Sequence, residues 1–188
     1  MAVLVAYAGA HGSTGGIAER IAATLRDRRL EVVVHPVERA EDAGAYDAVV
    51  IGSAIHNGVW LPAAAGFLRR NLDALGGRPL WLFSVSTLGD RGGAFRPRVA
   101  RWLRARRKET KEITGFRGAT HARDHCNFAG AIERDHLPAI GRVIFRAMGG
   151  RFGDHREWQE IHAWADGVAG QLLSAQRPAD PRLPDTSR

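Results

Sequence analysis

The stretch Ala8-Gly9-Ala10-His11-Gly12-Ser13-Thr14-Gly15-Gly16 decides the fold, because of what stands on either side of it. Before it, Val3-Leu4-Val5-Ala6 is apolar without a break, the pattern of a strand covered on both faces of a parallel sheet. After it, Ile17, Ile21 and Leu25 recur every fourth residue with Glu19, Arg20, Arg26 and Asp27 between them, which predicts an amphipathic helix. A strand, a glycine-rich loop and a helix in that order aim backbone N–H groups and the positive end of a helix at one point. A phosphate is the expected guest.

The loop departs from two common phosphate binders. A nucleoside-triphosphate loop needs Gly-Lys-Ser/Thr, whereas Gly12 is followed by Ser13 and Thr14 with no lysine. A dinucleotide fingerprint needs Gly-x-Gly-x-x-Gly with an acidic residue about 20 positions on; Gly9, Gly12 and Gly15 or Gly16 are spaced differently. What remains is a short hydroxyl-rich loop able to hold a phosphate monoester through Ser13, Thr14 and backbone amides. The alternative is a glycine-rich turn that binds nothing.

At 188 residues and 45% hydrophobic content, the chain suffices for one α/β domain, expected over residues 1–175. It has no apolar run of about 18 residues, and Met1-Ala2 leads directly into the first strand, so a cytoplasmic location is expected. The lone Cys126 has no partner for an internal disulfide or a cysteine metal site, in keeping with a reducing compartment. The net charge is +7, with Arg96, Arg98, Arg101, Arg104, Arg106, Arg107, Lys108 and Lys111 in one run. That run reads either as a surface for an acidic partner or anionic lipid, or as a solvated helix face. Only Trp102 interleaves with it, which argues against nucleic acid.

Further strands are expected over 31–37 and 48–53. The second of these is followed by a loop, Ala54-Ile55-His56-Asn57-Gly58-Val59-Trp60. In a sheet ordered 2-1-3-4-5, ligands sit where the strand order reverses, between strands 1 and 3. Ser53, Ala54, Ile55, His56, Asn57 and Trp60 are therefore expected to flank a ring, with Trp60 alternatively packing on the helix predicted over 62–72. Strand 4, over 79–86, exits through Ser86-Thr87-Leu88-Gly89-Asp90, which brings hydroxyl and backbone donors to the same end. The basic run predicts a helix over 96–107 with Val99, Ala100, Trp102 and Leu103 inward, 110–122 has no clear pattern, and strand 5 is expected over 124–132.

An insertion at about 133–152 follows, with an apolar stripe of Leu137, Ile140, Val143, Ile144, Ala147 and Met148 beside Arg142 and Arg146. The stripe reads as packing on the domain or on a second copy of the chain in a homodimer, or as peripheral contact of 137–148 with a membrane surface or a hydrophobic substrate. A last helix is opened by Trp158 and continues through Leu173. The prolines and charges of 176–188 predict a disordered tail.

Taken together, these stretches resemble the flavodoxin superfamily, and within it the branch of menaquinone-dependent protoporphyrinogen oxidases and related flavodoxin-domain proteins. The resemblance is carried by His11-Gly12-Ser13-Thr14, Ile51-Gly52-Ser53-Ala54-Ile55, Phe83-Ser84 with Leu88-Gly89-Asp90, Phe128-Ala129-Gly130-Ala131, the insertion and Trp158. It implies an α/β fold: a flavodoxin-like, doubly wound five-stranded parallel sheet with helices on both faces. It also implies noncovalent FMN, with the phosphate on Gly9, Ala10, His11, Gly12, Ser13, Thr14 and Gly15 and the ring among the loops at 53–60 and 86–90.

The activity implied is oxidation of protoporphyrinogen IX or a similar organic electron donor, with a quinone or another redox partner as acceptor. Two other readings stay open: a flavodoxin-type electron carrier, and a non-catalytic binding module that would be colourless when purified. His56 is the candidate for proton transfer near the ring, and no metal is expected. Gly9 and Ala10 stand where flavodoxins usually carry a hydroxyl, removing phosphate hydrogen bonds worth about 1.5–3 kcal/mol each unless His11 or backbone amides replace them. The positive charge also differs from the acidic surface of shuttle flavodoxins and would not suit the same basic partners.

Overall fold

The computed structural model describes residues 1–40, 42–106 and 111–176. Arg107 and Lys108 of the basic run and the tail beyond Gln176 lie outside the described residues. The core starts from β1 (Ala2–Ala8), in which Val3, Leu4, Val5 and Ala6 have no exposed surface. Alternate side chains face opposite ways. Val3 and Val5 pack with Ile17, Ile21 and Leu25 of α1 (Ser13–Asp27), while Leu4 and Ala6 join a separate cluster on the other face.

The remaining strands are β2 (Glu31–Pro36), β3 (Ala48–His56), the two-residue β4 (Val59–Trp60), β5 (Leu80–Ser86) and β6 (Asp124–Ala129). The sheet runs β2-β1-β3-β5-β6 with every neighbouring pair parallel, which is the expected order 2-1-3-4-5 once β4 is set aside. One face is covered by α1 and α7 (Trp158–Gln176), the other by α2 (Pro62–Arg70), α3 (Leu72–Leu75) and α5 (Lys111–Thr120). The last helix therefore extends through Gln176, the residue at which the tail was expected to begin.

Several local expectations are corrected. Residues 54–60 are a β-hairpin instead of a loop: β3 continues to His56, and Asn57-Gly58, with φ of 52° and 82°, turns the chain back into β4. Positive φ at both central residues is the two-residue turn that Asn-Gly favours. The helix predicted over 62–72 breaks at Asn71, whose buried Oδ1 accepts from Ala43 N at 3.1 Å while Nδ2 donates to Phe67 O at 2.9 Å. The featureless 110–122 stretch forms α5, whose buried apolar anchors are Ile113 and Phe116 and whose Glu112 accepts from Trp60 N at 3.2 Å.

In α4 (Pro97–Arg106), Ala100 is buried but Trp102 is 52% exposed, with the Arg106 guanidinium 4.2 Å from its ring centroid. Arg104 of the same run donates to the carbonyls of Gly89, Arg91 and Gly92, so part of the run is structural. Strand 5 ends early, at Ala129. After Gly130 the chain forms β7 (Ala131–Ile132), antiparallel to β8 (Gly153–Asp154).

Between β7 and β8 lies α6 (Ala139–Ala147), preceded by a 3-10 turn at Arg134–His136. Its stripe faces outward: Ile140 and Val143 are 73% and 69% exposed, and Ile144 and Met148 are also exposed. Phe145 alone of this helix is buried, in a third cluster with Leu88, Ala94, Phe95, Ala100 and Ile132. Apart from Leu137, which packs against that cluster, the stripe therefore does not pack on its own domain.

Candidate functional site

Gly12 sits at φ 79° immediately before α1, a left-handed conformation that a side chain would strain. The first intrahelical bond runs from Gly16 N to Gly12 O at 3.0 Å. The amides of Ser13, Thr14 and Gly15 precede it and have no intrahelical acceptor. Gly9 is accounted for by packing: a Cβ there would lie 2.7 Å from Thr14 Cβ and 2.8 Å from Thr14 Oγ1. The hydroxyl missing at this position makes room for the next one along the loop.

A cavity of about 310 Å³ opens at this point. The loop contributes Ala10, His11, Ser13 and Thr14; the hairpin contributes Ala54, Ile55, His56 and Asn57; the exit of β5 contributes Ser86 and Thr87. These ten expected residues are brought together. Gly9, Gly12 and Gly15 shape the loop behind them without lining the cavity.

Five expected residues are elsewhere. Ser53 is fully buried, its hydroxyl donating to Ala54 O at 2.9 Å and accepting from Leu61 N at 3.0 Å. Trp60 is 1% exposed, its Nε1 donating to Ser84 Oγ at 2.8 Å and its ring 6.0 Å from Phe116, in one cluster with Ala64, Phe67 and Leu68 of α2. Leu88 belongs to the third cluster. Asp90 reaches across to β6 and accepts from Asn127 N at 2.9 Å, and a Cβ on Gly89 would collide with the backbone of Ala129. The segment Leu88–Asp90 is thus a strap on β6, with donors turned away from the cavity.

Sequence reasoning passed over Gly130, Ala131, Ile132, His136 and Leu137, which form the opposite wall together with Leu61 and Val85. Gly130 had a local signal. Its N–H donates to Ser86 O at 2.9 Å, and a Cβ there would sit 2.8 Å from Val85 Cγ1 and 3.0 Å from Ser13 Oγ. His136 had none, because it reaches the cavity only through the β7–β8 pairing. Its ring stacks on His11, with centroids 3.9 Å apart and planes inclined by 18°. It is fixed from behind, where its Nδ1 accepts from Glu133 N at 3.1 Å.

The cavity is lined by three histidines, His11, His56 and His136, and by no carboxylate. Acidic groups nearby are held outside it. Asp154 accepts from the Arg156 guanidinium at 2.6 and 2.9 Å, which holds its carboxyl below the usual range and raises the guanidinium. That guanidinium also rests on the first turn of α1, where a Cβ on Gly16 would lie 2.6 Å from Nη1. Burial raises Glu160, opposed by Arg91 and reinforced by Asp90, and leaves its Oε2 without a hydrogen-bond partner. Burial together with the Asp90 charge pushes the Cys126 thiol well above the usual thiol range, which disfavours the reactive thiolate.

A family model described as flavodoxin domain matches residues 4–155. The chain belongs to the flavodoxin-domain family. The assignment indicates FMN as the cofactor of this flavodoxin domain. Among solved structures, it is similar to the rubredoxin oxygen oxidoreductase of the anaerobe Desulfovibrio gigas, at 17% identity and TM-score 0.57 over 92% of this chain. It spans only about a third of that protein, 36% of its length. It is also similar to Megasphaera elsdenii flavodoxin, at 12% identity and TM-score 0.56 over 89% of this chain and 98% of the other. An archaeal flavodoxin aligns at 14% identity and TM-score 0.53 over 92% and 99% of the two chains. No curated protein matches the chain significantly. Among the described residues, no helix of the flavodoxin domain is long and apolar enough to cross a membrane.

Proposed function

We propose that this flavodoxin domain is an FMN-dependent oxidoreductase that takes electrons from a hydrophobic organic donor of the protoporphyrinogen type and passes them to a quinone or a second flavin. Bound FMN supplies the redox chemistry. The phosphate would be held by Ser13, Thr14 and the Ser13–Gly15 amides at the start of α1, where a dianion meets the helix dipole and no opposing carboxylate. The hairpin residues Ala54–Asn57 and the hydroxyls of Ser86 and Thr87 would border the ring. His11 and His136 stand where a proton can be exchanged at the cavity mouth, and His56 is the other imidazole within reach.

The observation that carries the enzymatic reading is that the cavity wall formed by His136 and Leu137 leads directly into α6, whose outer face is apolar and exposed. A hydrophobic donor or a membrane surface carrying the quinone suits such a face. The test is twofold. The purified chain is titrated with FMN and followed by visible absorbance, then supplied anaerobically with protoporphyrinogen IX and a soluble menaquinone analogue. Flavin binding with donor-dependent quinone reduction supports the reading. Flavin binding without turnover leaves the electron-carrier role, and failure to bind flavin refutes both. Flotation with anionic liposomes tests the membrane element separately: if wild type and an Ile140→Ser, Ile144→Ser variant both stay in the soluble fraction, that element is wrong.

A further inference from the structure

A second and larger cavity, about 710 Å³, lies on the far side of Ile132 from the first, since Ile132 lines both. Four arginines converge on it from separate stretches: Arg96 before α4, Arg134 in the 3-10 turn, Arg146 in α6, and Arg151 between α6 and β8. None of these guanidiniums has an acidic partner at ion-pair distance among the described residues. The one carboxylate in the wall, Glu133, is engaged in capping the 3-10 turn by accepting from the His136 amide.

The backbone beneath the arginines is built and fixed. Gly149, at φ 81°, ends α6: its N–H donates to Arg146 O and that of Gly150 to Phe145 O, both at 2.9 Å, so the last carbonyls of the helix are already satisfied. Gly150 lies against the Phe145 ring, where a Cβ would come within 2.6 Å. Arg151 N donates to Ala94 O at 2.7 Å and Arg96 N to Gly149 O at 3.4 Å, which ties the two arginine-bearing segments together. Phe152 forms an apolar wall, with the Arg146 guanidinium 5.9 Å from its ring centroid.

We propose that this cavity binds a small molecule carrying two or more carboxylate or phosphate groups. These four exposed arginines, one from before α4 and three from the excursion between β7 and β8, bring like charges to one concavity, where they repel unless an anion lies between them, and guanidinium groups match oxyanions two hydrogen bonds at a time. A solvated charged face, the usual fate of surface arginines, has no reason to be concave or to be braced by backbone bonds at its floor. The volume falls within the range of about 300–1,000 Å³ typical of small-molecule sites. Because Ile132 is a shared wall, the occupant sits beside the flavodoxin cavity, as a substrate or regulator of that site would. The inference does not depend on FMN being bound there.

The test is an amide-resolved NMR titration of the full chain with inorganic pyrophosphate and, separately, tricarballylate, each with and without FMN. The expected result is saturable one-to-one binding that shifts the amides of Gly149, Gly150 and Phe152, weakened by at least about tenfold per guanidinium removed in Arg96→Ala, Arg151→Ala. Arg28→Ala, at the C-cap of α1 and outside the cavity lining, leaves the affinity unchanged. Should the double variant unfold, Arg134→Gln repeats the test at a side chain with no hydrogen bond or ion pair among the described residues. Vesicles with and without phosphatidylglycerol form the second arm: binding confined to the anionic vesicles, with the same arginine dependence, makes a lipid headgroup the source of the oxyanions. Absence of saturable binding in both arms, shifts confined to Ser13–Gly15, or unchanged affinity in the variants overturns the site.

Discussion

Around the loop between β1 and α1, Val3, Val5, Ile17 and Ile21 have no exposed surface, and even the glycines are dictated by neighbours, Gly9 by Thr14 and Gly130 by Val85 and Ser13. Across the same cavity, the excursion from Glu133 to Phe152 keeps one aromatic, Phe145, inside and turns four large apolar side chains out. It also supplies three of the four arginines of the second cavity, Arg134, Arg146 and Arg151, none of which has an acidic partner at ion-pair distance among the described residues. The first wall is set by burial, which rewards close packing regardless of what enters the cavity. The second wall carries surfaces that the monomer's own packing does not satisfy. What a fold shares with its relatives is expected in the first kind of region, and what distinguishes one chain's chemistry in the second.

The comparison can be broken most directly at the loop. Ser13→Ala with Thr14→Ala removes two donors to a charged acceptor, each worth about 1.5–3 kcal/mol, and should weaken FMN binding by roughly 10²- to 10⁴-fold. Riboflavin, which has no phosphate, should lose far less. Equal losses for the two ligands, measured by fluorescence titration, would remove the phosphate from this loop.

The excursion is sharpened by setting its one inward residue against an outward one. Phe145→Ala should cost about 3–5 kcal/mol of unfolding free energy, because its ring contacts Phe95 and Phe152 and supports Gly150. Ile144→Ser, one residue away, should stay within about 0.5 kcal/mol in the isolated protein. Comparable losses in urea melts would mean that the outer face is covered in solution, and sedimentation would then identify a second copy.

This contrast also explains what could be read from the sequence. The β1–loop–α1 unit was legible because strand run, glycines and helical stripe are consecutive, so one window holds the whole pattern. Trp60 was not decidable, since its Nε1 partner Ser84 comes from a strand 24 residues later. The strap at Leu88–Asp90 looked like a donor loop because nothing local reveals that Asp90 serves the Asn127 amide. α5 escaped notice because two apolar anchors, Ile113 and Phe116, are too few to set a period. The α6 stripe was visible, but its direction was not, because one buried Phe145 decides which way the helix turns.

Two smaller effects test the charges that the flavodoxin domain keeps out of the cavity. Glu160 is raised by burial, so between the unfolded and the folded carboxyl values the folded form keeps a proton that the unfolded chain has released. Its contribution to stability therefore falls as pH rises from the unfolded carboxyl value through the folded one. Glu160→Gln should then stabilise the protein by about 1 kcal/mol at neutral pH, with the gain shrinking in acid. A variant whose gain is the same at pH 4 and pH 7 would mean that the charge is not the cause.

Asp154 is shifted the other way by Arg156. Its contribution is present above the unfolded carboxyl value and disappears as pH falls through the folded one. The pair is solvent-screened, so Asp154→Asn should cost only about 0.5 kcal/mol at neutral pH, and nothing in acid. A thermal-shift series across pH separates that from a larger structural loss.

The β7–β8 ladder has a consequence for the history of such a chain. Ile132 pairs with Gly153, so the excursion leaves and re-enters the domain at adjacent positions. A segment closed in this way can grow, shrink or be exchanged while the ends it must join stay where they are, and the added closure entropy rises only slowly with length. New recognition surfaces can therefore be tried beside the existing cavity without disturbing the strand order that built it. Arg134, Arg146, Arg151 and the outward face of α6 lie within reach of that experiment, and the parallel sheet does not.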